Sequence, residues 1–223
     1  MSRLMVKVCG MRDPDNILEL AAIAPDMIGF IFYPKSPRYV KGGKLEKWLA
    51  SPASTSLQGI KRVGVFVNSE IEDVLNRVHD YELDFVQLHG DESPAYCAEL
   101  MNLWSMTSMR RAELIKAFSV GDGFSFDEVA AFAPFCKWVL FDTKGQQGYG
   151  GTGQSFDWSV LESYQGPCPF LLSGGIGPDS AGALDQFRHP LFAGIDLNSR
   201  FESAPGMKDV RGIHSFLSGV NRR

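Results

Sequence analysis

The chain of 223 residues is short of several things. No apolar run approaches the roughly 20 residues that a bilayer-spanning helix needs, so no membrane partner is expected. Charge of one sign is missing as well: 22 basic residues stand against 26 acidic ones, a net charge of −4. A nucleic-acid or acidic-membrane partner would favour a basic patch, and neither is indicated. Cysteine and histidine are scarce, at four each. Cys9, Cys97, Cys136 and Cys168 form no C-x-x-C pair, and none has a histidine at metal-ligand spacing. Zinc and a redox dithiol are therefore not indicated, and no metal is expected. A free cysteine is usually a small buried hydrophobe, a reading that suits Cys97, Cys136 and Cys168. The dinucleotide glycine fingerprint is absent, as is any linker of biased composition, so one domain over residues 1–223 is expected. Residues 1–6 lack the long apolar core of a signal peptide and run straight into an apolar segment, which gives a cytoplasmic expectation.

What is present is periodic. Runs rich in Val, Ile, Phe and Leu recur at residues 5–9, 27–32, 62–67, 84–88, 114–118, 138–141, 169–172 and 192–197. Their spacing leaves room for a βαβ unit each time. Continuous rather than alternating apolar strands mark a parallel sheet buried on both faces. Between them lie helical signals. Asp13-Pro14-Asp15 supplies a cap and a first-turn proline, and Ser69-Glu70-Ile71-Glu72 has the spacing of a capping box. Segments 127–135, 157–164 and 179–187 each open near an acid, and 209–220 carries an apolar stripe of Val210, Ile213, Phe216 and Leu217. Eight such units predict an α/β fold, a (β/α)8 TIM barrel; an open doubly wound sheet is the alternative.

In a closed barrel the C-terminal strand ends share one pocket, where catalytic residues normally sit. Cys9 ends the first run and Asp142 the sixth, so a thiol and a carboxyl face one pocket as a base and acid pair. His89 ends strand four and points to the same mouth, and with Asp196 of strand eight it is read as substrate-binding. After strand seven comes Ser173-Gly174-Gly175-Ile176-Gly177-Pro178, and after strand eight Asn198-Ser199. Glycines let backbone N–H groups approach an oxyanion, and barrel enzymes commonly hold phosphate in these two loops. A plain tight turn is the alternative for the glycine pair. Arg38 is presented from the stiffened loop Pro34-Lys35-Ser36-Pro37, either to bind a carboxylate or simply as a solvated arginine. Gly150-Gly151-Thr152-Gly153, in the long loop 143–155, reads as a flap or as flexible filler.

Taken in order, these pieces resemble the phosphoribosylanthranilate isomerases of tryptophan biosynthesis. The similarity lies in Lys7-Val8-Cys9-Gly10, Gly29-Phe30-Ile31-Phe32 with Pro34-Lys35-Ser36-Pro37-Arg38, and Val63-Gly64-Val65-Phe66. It continues through Gln87-Leu88-His89-Gly90, Asp142-Thr143, Gly150–Gly153 with Phe156-Asp157-Trp158, Gly174-Gly175-Ile176 and Pro205-Gly206-Met207-Lys208-Asp209. The resemblance implies an eight-stranded barrel, no cofactor, and phosphoribosylanthranilate as the small-molecule partner of a monomer or homodimer. It implies Cys9 as general base, Asp142 as general acid, Arg38 near the anthranilate moiety, and Gly174, Gly175, Asn198 and Ser199 around the phosphate. The reaction implied is an Amadori rearrangement of an aldosylamine to a ketosamine. It needs a proton delivered to the ring oxygen and another removed from the adjacent sugar carbon, and requires neither nucleophilic attack nor a metal.

The chain departs from the family pattern at one place. Where the family often has Ser-Gly-Val-Glu, it carries Ser199-Arg200-Phe201-Glu202. Arg200 either adds a charge-assisted contact to the phosphate or points to solvent. Rival sugar-phosphate isomerases fit less well. The histidine-pathway enzyme pairs two aspartates, and a metal-using epimerase would want more histidines and acids at strand ends. Retention of both Cys9 and Asp142 argues against a catalytically silent barrel.

Overall fold

Each of the eight apolar runs forms a parallel strand in a computed structural model of the chain, which describes residues 3–106, 110–121, 123–143 and 158–220. The strands are β1 (Met5–Val8), β2 (Met27–Ile31), β3 (Lys61–Phe66) and β4 (Phe85–Leu88), then β5 (Glu113–Val120), β6 (Cys136–Thr143), β7 (Phe170–Leu172) and β8 (Phe192–Leu197). They close in sequence order, with β8 returning to β1 through the register Met5↔Gly194 to Val8↔Leu197. The TIM barrel read from the sequence is therefore the observed fold, and the open sheet is excluded by that β1–β8 pairing.

Strand period decides which side chains enter the barrel. Met27, Val63, Phe85, Ile115, Ala117, Leu140 and Leu171 form one apolar cluster inside it. Their strand neighbours Ile28, Phe30, Val86, Leu88, Val139 and Phe141 pack outward in a second, larger cluster beneath the helices. Both faces are thus dry, which is why the runs are continuously apolar.

The helices are α1 (Pro14–Ala21), α2 (Lys44–Leu49), α3 (Ile71–Asp80) and α4 (Pro94–Met106), then α5 (Asp127–Ala130), α6 (Ala181–Gln186) and α7 (Val210–Gly219). Asp13 caps α1 as expected, its carboxylate accepting from the amides of Asp15 and Asn16 at 3.1 Å each. Asp209 caps α7 through the Gly212 amide at 2.9 Å. Four expectations need correction, one being that segment 157–164 forms a 3-10 helix, Trp158–Ser163, in place of an α-helix. The capping box at Ser69 does not form, because the cap residue is Glu70 and makes no side-chain cap bond. Ser69 lies one residue too early, with its carbonyl held by the Tyr96 hydroxyl at 2.9 Å. The helix expected over 127–135 stops at Ala130 and continues only as turns, in keeping with the helix-breaking ring of Pro134 just ahead. Segment 179–187 is a short 3-10 turn, Pro178–Ser180, followed by the six-residue α6. The sequence reading also has no counterpart for the small antiparallel hairpin β9 (Glu202–Ala204) and β10 (Met207–Lys208) that follows β8.

Among the described residues no helix is long and apolar enough to cross a membrane. The loop with Gly150–Gly153 lies outside the described residues.

Candidate active site

Inward positions change character as the strands approach the C-terminal mouth. In β1 the inward series is Met5, Lys7 and then Cys9; in β4 it is Phe85, Gln87 and then His89. In β6 Leu140 is followed by Asp142, and in β8 Asp196 is the inward residue facing Lys7 in register. The apolar floor of the barrel therefore gives way to a polar layer without any break in strand period.

Above that layer opens a cleft of about 330 Å³, within the range of small-molecule sites. Cys9, Arg38, His89, Asp142, Gly174, Gly175, Asp196, Asn198 and Ser199 all line it. Every site residue read from the sequence thus reaches one cavity, including pairs brought together from opposite ends of the chain. Arg200 lines the same cleft, and its guanidinium contacts the Asp179 carboxylate at 3.2 and 3.4 Å. It lies against Gly177, where a side chain would collide with Arg200 Nε. Gly174 and Gly175 are both left-handed, with φ of 85° and 69°, a pair of conformations that side-chain-bearing residues rarely adopt. Two consecutive residues of this kind turn the backbone sharply at the mouth of β7.

Four residues that the sequence reading did not single out shape the electrostatics. Lys7 is fully buried and donates to Asp196 Oδ2 at 2.7 Å. Burial pulls the Lys7 pKa down, but the charges of Asp196 and Cys9 more than offset it, so the ammonium is held above its ordinary value. Burial pushes the Asp196 carboxyl up against the opposing pull of Lys7. Its second oxygen, Oδ1, is buried without a hydrogen-bond partner among the described residues. Burial likewise pushes the Cys9 thiol up, while the cations Lys7 and Lys208 pull it back. Gln87 Nε2 lies 2.7 Å from His89 Nδ1, and His89 Nε2 lies 3.3 Å from Asp142 Oδ2. An amide N–H donating to Nδ1 leaves the ring proton on Nε2, aimed at Asp142. Glu202 and Lys208 form an ion pair at 2.5 Å behind Arg38. A signal for Lys7 and Gln87 was available: each is a polar residue at an inward position of an apolar strand, two residues before a site residue.

Arg38 is also further from free solvent than a loop arginine suggests. Its Nε and Nη2 donate to the Glu202 carboxylate at 2.7 to 3.0 Å. Asn198 turns its side-chain oxygen to the Lys208 ammonium at 2.8 Å. Among the described residues no group of three or more His, Cys, Asp or Glu side chains could hold a metal ion.

Fold and cleft together define a (β/α)8-barrel enzyme whose ionisable side chains gather at the C-terminal mouth. The sequence profile for "PRAI: N-(5'phosphoribosyl)anthranilate (PRA) isomerase" matches residues 6–219. An N-(5'-phosphoribosyl)anthranilate isomerase of Parabacteroides distasonis is 45% identical over 217 residues, 97% of this chain and 93% of that protein. The solved phosphoribosyl anthranilate isomerase of Thermotoga maritima is 32% identical with a TM-score of 0.79, covering 97% of this chain and 98% of that one. Another solved enzyme of the same kind holds reduced 1-(o-carboxyphenylamino)-1-deoxyribulose 5-phosphate; it is 29% identical, with a TM-score of 0.76 and 97% of both chains covered. A further Thermotoga maritima structure is of monomers generated from a dimeric enzyme. The chain belongs to the N-(5'-phosphoribosyl)anthranilate isomerase family. It is an isomerase of tryptophan biosynthesis, EC 5.3.1.24.

Proposed function

We propose that the chain converts N-(5'-phosphoribosyl)anthranilate to 1-(2-carboxyphenylamino)-1-deoxyribulose 5-phosphate with Cys9 as general base and Asp142 as general acid. The carboxyl of Asp142 gives its proton to the ribose ring oxygen as the C1–O bond breaks. The anthranilate nitrogen lone pair then forms the C1=N bond of a cationic Schiff base. That cation acidifies C2, and the Cys9 thiolate removes the C2 proton. The electrons return to nitrogen, leaving an enolamine that tautomerises to the ketone. The observation that carries this reading is the convergence of a thiol and a carboxyl on one cleft that also holds the Gly174-Gly175 turn.

The remaining contacts follow from charge. Phosphate is assigned to the backbone of Gly174, Gly175, Asn198 and Ser199, with the Arg200 guanidinium beside them. The turn after Gly177 is short, so helix dipole adds less than a long helix would, and Arg200 takes on more of the neutralisation. The anthranilate carboxylate is assigned to Arg38, and sugar hydroxyls to His89 and the carboxyl of Asp196. His89 orients Asp142, and Lys7 and Lys208 oppose the effect of burial on Cys9. One copy of the chain supplies all of these lining residues, so a monomer would carry the site as fully as a homodimer.

The test is turnover of purified Cys9→Ser and Asp142→Asn followed by the fluorescence of the anthranilate moiety. Each should lose roughly 10²–10⁴-fold in kcat, the usual worth of a general acid or base, with product-analogue affinity little changed. Near-normal turnover in either variant removes that residue from the mechanism.

A further inference from the structure

Behind Arg38 sits a carboxylate that the reaction itself does not use. Glu202, at the start of β9, accepts from four groups. Its Oε1 takes Arg38 Nε at 2.9 Å, Lys208 Nζ at 2.5 Å and the Gly206 amide at 3.1 Å. Its Oε2 takes Arg38 Nη2 at 2.7 Å and Nε at 3.0 Å. The side chains of Glu202 and Lys208 are 4% and 0% exposed, and that of Arg38 is 13% exposed. A buried carboxylate whose two oxygens are both saturated is an anchor rather than a reactant.

The backbone is pinned in parallel. Arg12 donates to the carbonyl of Pro37 at 2.9 Å and to that of Pro205 at 2.8 Å. It thereby ties the loop that carries Arg38 to the turn between β9 and β10. Gly206 leaves the room for this, since a side chain there would stand 2.5 Å from Arg12 Nε. Beside the cleft, Arg38, Lys208 and Glu202 leave one positive charge in excess. Glu202 occupies the Nε–Nη2 edge of the guanidinium, and among the described residues it makes no hydrogen bond to Nη1.

We propose that Glu202 is the positioning residue for anthranilate recognition: it grips one edge of Arg38 so that the other edge and the surplus positive charge face the substrate carboxylate. This rests on the reading of Arg38 as the carboxylate-binding residue. The guanidinium fork is rigid and planar, so fixing one edge fixes the direction of the other. Preorganisation of this kind lowers the cost of ordering a long side chain on binding. Glu202 acts through Arg38, so its loss should appear in KM and in selectivity more than in kcat.

The experiment compares two ligands, the ketosamine product and its counterpart lacking the ring carboxylate, on wild type, Glu202→Gln, Arg38→Met and the double variant. Both single variants should weaken the carboxylate ligand by roughly 10–100-fold, the worth of a charge-assisted contact, and the other ligand by less than about 3-fold. The double variant should be no worse than Arg38→Met, because residues acting as one unit are not additive. A merely structural Glu202 would lower Tm and weaken both ligands alike, which overturns the proposal. Additive losses in the double variant overturn it as well. If Arg38→Met fails to discriminate between the ligands, the reading of Arg38 is what falls, and the proposal with it. If Arg38→Met discriminates and Glu202→Gln does not, only the positioning role falls. Should Glu202→Gln not fold, Glu202→Asp keeps the charge with a shorter reach and should lie between wild type and Arg38→Met in selectivity. Wild-type selectivity in Glu202→Asp would show that the grip is not needed.

Discussion

Gly29 of β2 stands beside Cys9, and a single methyl group added there tests how finely the thiol is placed. A Cβ at residue 29 would lie 2.9 Å from Cys9 Sγ, 3.1 Å from its Cα and 3.4 Å from its Cβ. Ordinary contact between such atoms is about 3.5–4.0 Å, so roughly 0.6–1.1 Å of movement is required of the thiol or of the strands. The strands resist, because the Cys9 amide is bonded to the Leu197 carbonyl at 2.9 Å and the Met11 amide to the Gly29 carbonyl at 2.9 Å. Gly29 is not in the left-handed region, so alanine adds no backbone strain of its own. The displacement therefore falls mainly on the Cys9 side chain. A misplacement of about 1 Å costs on the order of 10²-fold in rate, whereas overpacking of this size destabilises a fold by about 1–3 kcal/mol. Gly29→Ala should thus remain folded while losing about two powers of ten in kcat. Steady-state turnover read by anthranilate fluorescence, beside a thermal melt, separates the two effects. Turnover within twofold of wild type in a folded variant would refute the placement of Cys9 as the base.

Lys7→Met leaves the Asp196 carboxylate buried without its ammonium, which should cost about 3–5 kcal/mol and lower Tm by roughly 6–20 °C in a chain of this size. Because a thiol base works only when deprotonated, kcat/KM should rise with pH through the Cys9 pKa, which burial already holds above its ordinary value. Removing the neighbouring Lys7 cation raises that pKa further, so the rising limb should shift to higher pH in Lys7→Met; a limb that does not move would mean it reports another group. Gly174→Asp puts a side chain at φ 85° and a negative charge beside the assigned phosphate; at about 4 Å the repulsion is roughly 4 kcal/mol at an effective surface dielectric. Saturation should become poor, and inorganic phosphate should protect wild type but not the variant against heat; equal protection of both would move the phosphate elsewhere.

The sequence by itself determined the barrel and the residues at its mouth. Eight runs of β-branched and aromatic residues dictate eight strands through local periodicity, and parallel strands place Cys9, His89, Asp142 and Asp196 at one end by their positions in those runs alone. The glycine pair after β7 was legible for the same reason, since its chemistry is local and its place follows from strand order. What only the tertiary structure decided is how those groups are charged, aimed and held. Lys7 and Asp196 are 189 residues apart and meet only because β8 closes on β1. Arg38 and Glu202 are 164 residues apart and meet only because the β9–β10 hairpin is tied to the loop that carries Arg38. The failed cap at Ser69 goes with a contact from elsewhere in the chain, the Tyr96 hydroxyl on its carbonyl, whereas the early stop of α5 follows from Pro134, a local signal. Periodicity is a property of neighbours along the chain, so it survives in the sequence. The pKa of a thiol and the direction of a guanidinium depend on charges and donors that closure of the barrel brings from its far end.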